Sequence, residues 1–510
     1  MKRTLFLLLL LIFFSSLFAS YMNVAVIGEI RSLNPYFLNS TAERQVIGYI
    51  YETLLSTENG KTVGLMAESW EVDLPNRVMH VTLKDQLFHD GKPVTAQDVA
   101  FSYNLTVQKR LPMGPVLAYF IRAEAVSERQ VDLYFRVLNA SVLSFVPMAI
   151  PVIPQHLWAD IESPRDFPNT TNPVGSGSMM FNNLTPQTLT LDSFHQHPDA
   201  PKNIDGIVFH MVQDETMGFL GLVKGDYDYL YWNLDPSLAS QLLSNPGRYP
   251  DIHVATTHGE SVYVMLFNHR QAPTSDVHFR KAIQDALNYP EIVQKVFRDY
   301  AGLPYYGILP KTASHVVDEA LGIPQQDLEK AKQALAASGY DGSTLKILCF
   351  SSKEYMDMGE YIKLYLSKIG VKVELDVKGH ESVMAEMKKG NFDMVLTSFS
   401  LGFHPEMLYY YLHSSRGILQ DGQVSGFNYG GYNDPDMDAI LDRIWTTFSE
   451  DELKESFFDL QARIKQTVPM LPLCVPLQLE AYSTRNFDGW LVSETEGVFN
   501  TQTLQNVTPK

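Results

Sequence analysis

Two cysteines in 510 residues, Cys349 and Cys474, exclude a disulfide framework as the basis of this fold. Both sit in apolar runs, "LKILCF" and "PLCVP", and read as small buried hydrophobes; a single disulfide between them stays open. Positive charge is also scarce. Lys plus Arg number 40 against 58 Asp plus Glu, a net charge of −18. Nucleic acids and anionic membrane surfaces are held by clustered cations, so neither is an expected partner. Past residue 20 no apolar run reaches the ~20 residues a membrane-spanning helix needs. No repeat of fixed period and no low-complexity run is present.

What is there is a long globular chain. Its length exceeds one ordinary core and predicts two or three domains. Aromatic residues reach 12%, with 26 Tyr and 28 Phe, enough to supply both core and flat binding faces. Lys2 and Arg3 precede an unbroken apolar run, Leu5 to Phe14, followed by "SSLFAS". This is the pattern of a secretory signal over residues 1–20, cleaved after Ala19 or Ser20. No cysteine lies near that point for lipidation, so the expected location is a bacterial periplasm, with the mature chain soluble.

"NVAVIG" reads as a strand and "TAERQVIGYIYETLL" as one helix capped by Thr41. "RVMHVTLK" alternates, with Met79, Val81 and Leu83 on one face, and "QVDLYFRV" does likewise. "TAQDVAFSYNLTV" opens a helix capped by Thr95, with Asp98 in its first turn. A proline-rich stretch from Pro147 to Pro173 suggests a crossing between domains. "DVHFRKAIQDALNYPEIVQKVF" reads as one amphipathic helix, and "DLEKAKQALAASGY" as another stopped at Gly339. From Thr344 to Ser400 a strand-helix-strand-helix-strand series predicts a mixed α/β unit with parallel pairs.

Seven segments in one order carry a family likeness: "SLNPYF", "GLMAESWEV", "LKDQLFHDGKPVTAQDVAFSYN", "NPVGSGSMMFNN", "HFRKAIQDALNYPEIV", "LEKAKQALAASGY" and "GGYNDPDMDAIL". Together, over nearly the whole mature chain, they resemble the family 5 extracellular solute-binding proteins, the dipeptide and oligopeptide receptors of ABC importers. The resemblance implies an α/β, periplasmic-binding-protein-like fold (type II, cluster C), with two main lobes, a hinge and an extra subdomain. It implies lobe I over 21–57, 172–262 and 479–510, the extra lobe II over 58–171, and lobe III over 263–478. It also implies an ABC permease and ATPase as partners, a monomer, no cofactor and no catalysis. Ligand would lie between lobes I and III and be enclosed as they close.

His89 and Asp90 fall in turn chemistry, "HDGKP". His195 and His197 stand two apart without a third metal ligand and read as a solvated pair. "VGSGS" lacks the setting of a nucleophile and reads as a tight turn. A secreted hydrolase is therefore the remote alternative. In peptide-binding members of the resembled family, an Asp after the "FD" strand pairs with the ligand's ammonium. From Phe392-Asp393 that position falls at Gly402, or at Leu401 or Phe403, where no acid stands; Glu406 is the nearest in sequence. Phe399, Phe403 and Tyr409 to Tyr411 offer flat faces for sugar rings instead, so oligosaccharide is the alternative to oligopeptide, and a nickel chelate or other small solute comes third. Tyr410 or Tyr411 could equally face the core. The expected ligand contacts are Asn39, Ser40, Trp232, Phe399, Ser400, Gly402, Phe403, Glu406 and Tyr409.

Overall fold

A computed structural model describes residues 20–510 except 59–60, 114–115, 403–404 and 495. The signal segment, save Ser20, and Phe403 lie outside the described residues. Three sheets organise the rest. The first has seven strands, in the order Ile252–Thr257, Gln478–Ser483, Tyr229–Leu230, Tyr21–Ile27, Gly206–Val212, Thr188–Ser193 and Met179–Leu184. Tyr21–Ile27 runs parallel to both of its neighbours. The second has six strands, in the order Ala301–Gly302, Met470–Pro476, Ser261–Phe267, Met394–Ser400, Thr344–Phe350 and Lys372–Lys378. Thr344–Phe350 is parallel to the strands on both sides. The third is a four-stranded antiparallel sheet formed within residues 67–135.

Burial follows the alternation. Met79, Val81 and Leu83 are all at most 1% exposed, while His80 faces solvent. The four-stranded sheet and one face of the seven-stranded sheet share a continuous apolar core, from Met22 and Phe209 through to Val81 and Leu133. The six-stranded sheet has its own core, which includes both cysteines. They are free thiols, each buried. Burial pushes Cys349 up to about 11 and Cys474 higher still, so both stay protonated and inert. No described helix is long and apolar enough to cross a membrane.

Several sequence expectations need correction. The first helix is Thr41–Ile47 and stops at Gly48; Leu55 already belongs to a strand. Its cap is Ser40, not Thr41. The long amphipathic stretch is two helices, Val277–Ala286 and Tyr289–Phe297, because Asn288 caps the second and Pro290 sits in its first turn. Helix Leu328–Ala337 is closed by extended Ser338, one residue before Gly339. Pro147 lies inside helix Ala140–Ala149. His195 and His197 are no solvated pair. His195 is exposed, but His197 is buried, its Nε2 3.0 Å from Glu52 Oε1. Gly175 and Gly177 are required by contact: a β-carbon would lie 1.9 Å from Ile50 O at one and 2.4 Å from Tyr49 O at the other.

Candidate functional site

In α/β sheets, ligands bind beyond the carboxyl ends of parallel strands, where successive connections turn to opposite sides. The six-stranded sheet has such a point. From Phe350 the chain passes through helix Lys353–Lys368 to Lys372–Lys378 on one side; helix His380–Lys389 then returns it to Met394–Ser400 on the other. A cavity of about 440 Å³ opens there. That lies within the range of small-molecule sites, about 300–1,000 Å³.

Its walls are rings. Phe399 stacks on Tyr411, centroids 3.8 Å apart at 18°. Phe350 stacks on His380 at 5.3 Å. Met384 and Met387 enter from helix His380–Lys389, and Phe427 and Tyr429 form the remaining side. Phe427 is 47% exposed, a large apolar side chain left in water at a cavity. Polarity comes from Ser351, Ser352, Thr397 and Ser398. The Tyr355 hydroxyl donates to Ser398 Oγ at 3.1 Å, and burial pushes its pKa up to about 12, so it remains a neutral phenol. Among the described lining residues none is Asp, Glu, Lys or Arg. Geometry and polarity suit binding of an uncharged group.

The nine expected contacts scatter. Phe399 lines the cavity. Tyr409 does not: it stacks on Trp445 at 4.8 Å, and Tyr411, two residues on, takes the cavity position. Tyr410 is buried, its hydroxyl 3.0 Å from that of Tyr119. Trp232 packs over Gly218, where a β-carbon would lie 2.1 Å from the indole, so it belongs to the layer around helix Glu215–Lys224. Ser40 is committed: Oγ accepts from Glu43 N at 3.0 Å and donates to Glu29 O at 2.8 Å. Asn39 is exposed, its backbone N–H held by Glu43 Oε2. Glu406 is half-buried in the short turn Pro405–Met407; burial lowers the pKa of His315, and Glu406 partly offsets this.

The loop position that lacks an acid has a physical filling. Leu401 is fully buried, and its N–H donates to Glu260 O at 3.0 Å. A β-carbon on Gly402 would lie 2.6 Å from Thr312 Oγ1 and 2.9 Å from Glu260 Cβ. No side chain fits there without displacement. The carboxylate beside this turn is that of Glu260, whose Oε2 accepts from exposed Ser400 Oγ at 3.3 Å. Sequence reasoning missed Tyr355, His380, Met384 and Phe427. For Tyr355 and His380 a signal existed: each follows within five residues the carboxyl end of a parallel strand. For Phe427 none did, because only the fold brings its loop to Tyr411.

Residues 61–419, well over half of the chain, match the family described as bacterial extracellular solute-binding proteins, family 5 Middle. The oligopeptide-binding protein AppA of Bacillus subtilis is 21% identical, covering 94% of this chain and 90% of its own. Heme-binding protein A of Haemophilus influenzae is 24% identical, covering 83% and 81%. Among solved structures, a periplasmic oligopeptide-binding protein of an oligopeptide ABC transporter from Thermotoga maritima superposes with a TM-score of 0.81. It is 21% identical, over 96% of this chain and 99% of its own. That likeness shows the fold, a type II periplasmic-binding-protein architecture. The chain belongs to the bacterial extracellular solute-binding proteins of family 5.

Proposed function

We propose that the protein is the periplasmic receptor of an ABC importer and that it captures oligopeptides without transforming them. The observation that carries this reading is the uncharged, ring-lined cavity at the point where connections diverge, in a chain of this family. The named ligands of the relatives, oligopeptides above all, supply the substrate class. Lobe I (21–57, 172–262, 479–510) and lobe III (263–478) would close on ligand, with the extra lobe 58–171 riding on lobe I. Only the closed form gives ligand contacts from both lobes, so ligand favours closure, and the closed monomer would dock on the permease. Export through a cleaved signal over residues 1–20 belongs to the same reading. Oligosaccharide is the second reading, favoured by the Phe399–Tyr411 stack with serine hydroxyls nearby.

Thermal unfolding of ligand-free protein against two panels tests this. One panel holds di- to pentapeptides, the other α- and β-linked oligosaccharides. Ligand at 100 times Kd stabilises the native state by about 2.7 kcal/mol. A raised midpoint with peptides is expected; a rise with sugars alone replaces the first reading by the second.

A further inference from the structure

The cavity singles out one kind of ligand group. Its described lining has no Asp, Glu, Lys or Arg, two methionines and seven rings, counting His380. A cationic or anionic side chain placed there would lose hydration and find none of these charged groups among the described lining residues; the carboxylate of Glu354, outside that lining, accepts from Ser352 Oγ at 2.8 Å. A flat neutral ring would meet the face or edge of Phe399, Phe350, Tyr411 or Phe427, the geometry in which rings attract one another. Met384 and Met387 on helix His380–Lys389 can adjust to its outline. Phe427 supplies the second observation. It is 47% exposed, yet it stands edge-on to Tyr411 at 6.3 Å and to Tyr429 at 6.1 Å. Its apolar face is poised to be covered by whatever fills the space between these rings.

We propose that this cavity is a specificity subsite that receives one uncharged aromatic side chain of the bound peptide and rejects charged ones. The proposal rests on the peptide reading above and adds the side-chain class to it. The serines at the strand ends, Ser351, Ser352 and Ser398, offer hydroxyls to a phenol or indole N–H, so Tyr and Trp belong to the accepted class with Phe.

The test is calorimetric titration of the purified protein with tetra-alanine and its single-substituted forms. Phe, Lys and Glu are placed in turn at each of the four positions. At one position Phe should bind tenfold or more tighter than Ala, with Lys and Glu tenfold or more weaker. Phe427→Ala, at an exposed side chain, should bring the Phe-to-Ala ratio at that position toward one. Met384→Glu should make Lys the preferred residue there, a gain that a misfolded protein cannot show. Equal affinity for Phe and Ala at every position would overturn the subsite and leave the peptide reading standing. Binding of no peptide at all would overturn both.

Discussion

At the scale of single residues, His89 shows how the fold sets chemistry that a sequence motif only hints at. Its Nε2–H donates to Gly177 O at 2.9 Å, and its Nδ1 accepts from Gly175 N–H at 3.3 Å. Acceptance at Nδ1 requires the neutral ring, whereas donation from Nε2–H to a carbonyl also suits the charged one. Burial pushes its pKa from 6.5 down to about 4, against the Gly177 carbonyl, which raises it. The unfolded chain takes a proton near 6.5 and the folded one only near 4. Between those values the unfolded state holds more protons, so stability is full above 6.5 and falls as pH drops. The loss amounts to roughly 3 kcal/mol for this group. His89→Gln can keep both hydrogen bonds without titrating. Urea midpoints measured from pH 7 to 4.5 should therefore fall less steeply in the variant than in the parent. Tyr409 and Tyr411 carry the opposite lesson. Three consecutive tyrosines on one turn point three ways, and which one meets Phe399 depends on how helix Leu408–Leu412 is set against the sheet.

At the scale of elements, caps rather than propensity decide where helices begin. Glu43 is 1% exposed and collects four backbone N–H groups. Oε1 accepts from Arg31 and Ser32, each at 2.9 Å, and Oε2 from Asn39 at 2.6 Å and Ser40 at 3.2 Å. One carboxylate thus fixes the whole 31–40 loop to the first turn of helix Thr41–Ile47. Glu43→Ala should destabilise the protein by roughly 3 kcal/mol in urea unfolding, since one buried and three partly buried donors lose their acceptor at once. Asn288→Ala, which removes a single cap bond to Glu291 N, should cost only about 1 kcal/mol. A result in which the two variants were equally stable would show that the loop finds other acceptors. The alternating strands and the Thr344–Ser400 series were legible because their apolar period matches the element. The broken helix at Leu287–Asn288 was not, because its amphipathic pattern continues across the break.

At the scale of the whole molecule, the chain passes between the two large sheets twice, at 257–261 and at 476–478. Away from these crossings the four-stranded unit touches the six-stranded one through an aromatic clasp. Tyr119 hydroxyl meets Tyr410 hydroxyl at 3.0 Å, and its ring lies 6.0 Å from Trp445. Arg416 sits over Tyr409 and Tyr410 at 5.3 and 5.2 Å, bracing the same cluster. The Tyr119–Tyr410 contact spans a sequence separation of 291 residues. Tyr119→Ala should open the ligand-free molecule, seen as a larger radius of gyration in solution scattering. Ligand binding should weaken by about three- to tenfold, since closure then lacks roughly 1 kcal/mol of contact. An unchanged radius would show that the clasp does not hold the closed form.

The sequence by itself determined the family, the α/β class and the strands with a clear apolar pattern, because apolar period, capping residues and motif order are local properties of the chain. It also offered Phe399, among the aromatics that follow Phe392-Asp393, as a flat face for ligand, and the residue lines the cavity. Tertiary structure alone decided the rest of the site. Phe350, His380, Tyr411 and Phe427 come from four separate segments, and only the strand order of the six-stranded sheet makes them neighbours. The same holds for Glu260, which reaches Gly402 because Ser261 and Ser400 are partners across the sheet. Pairing between distant strands fixes which side chains share a space, and no local pattern encodes that choice.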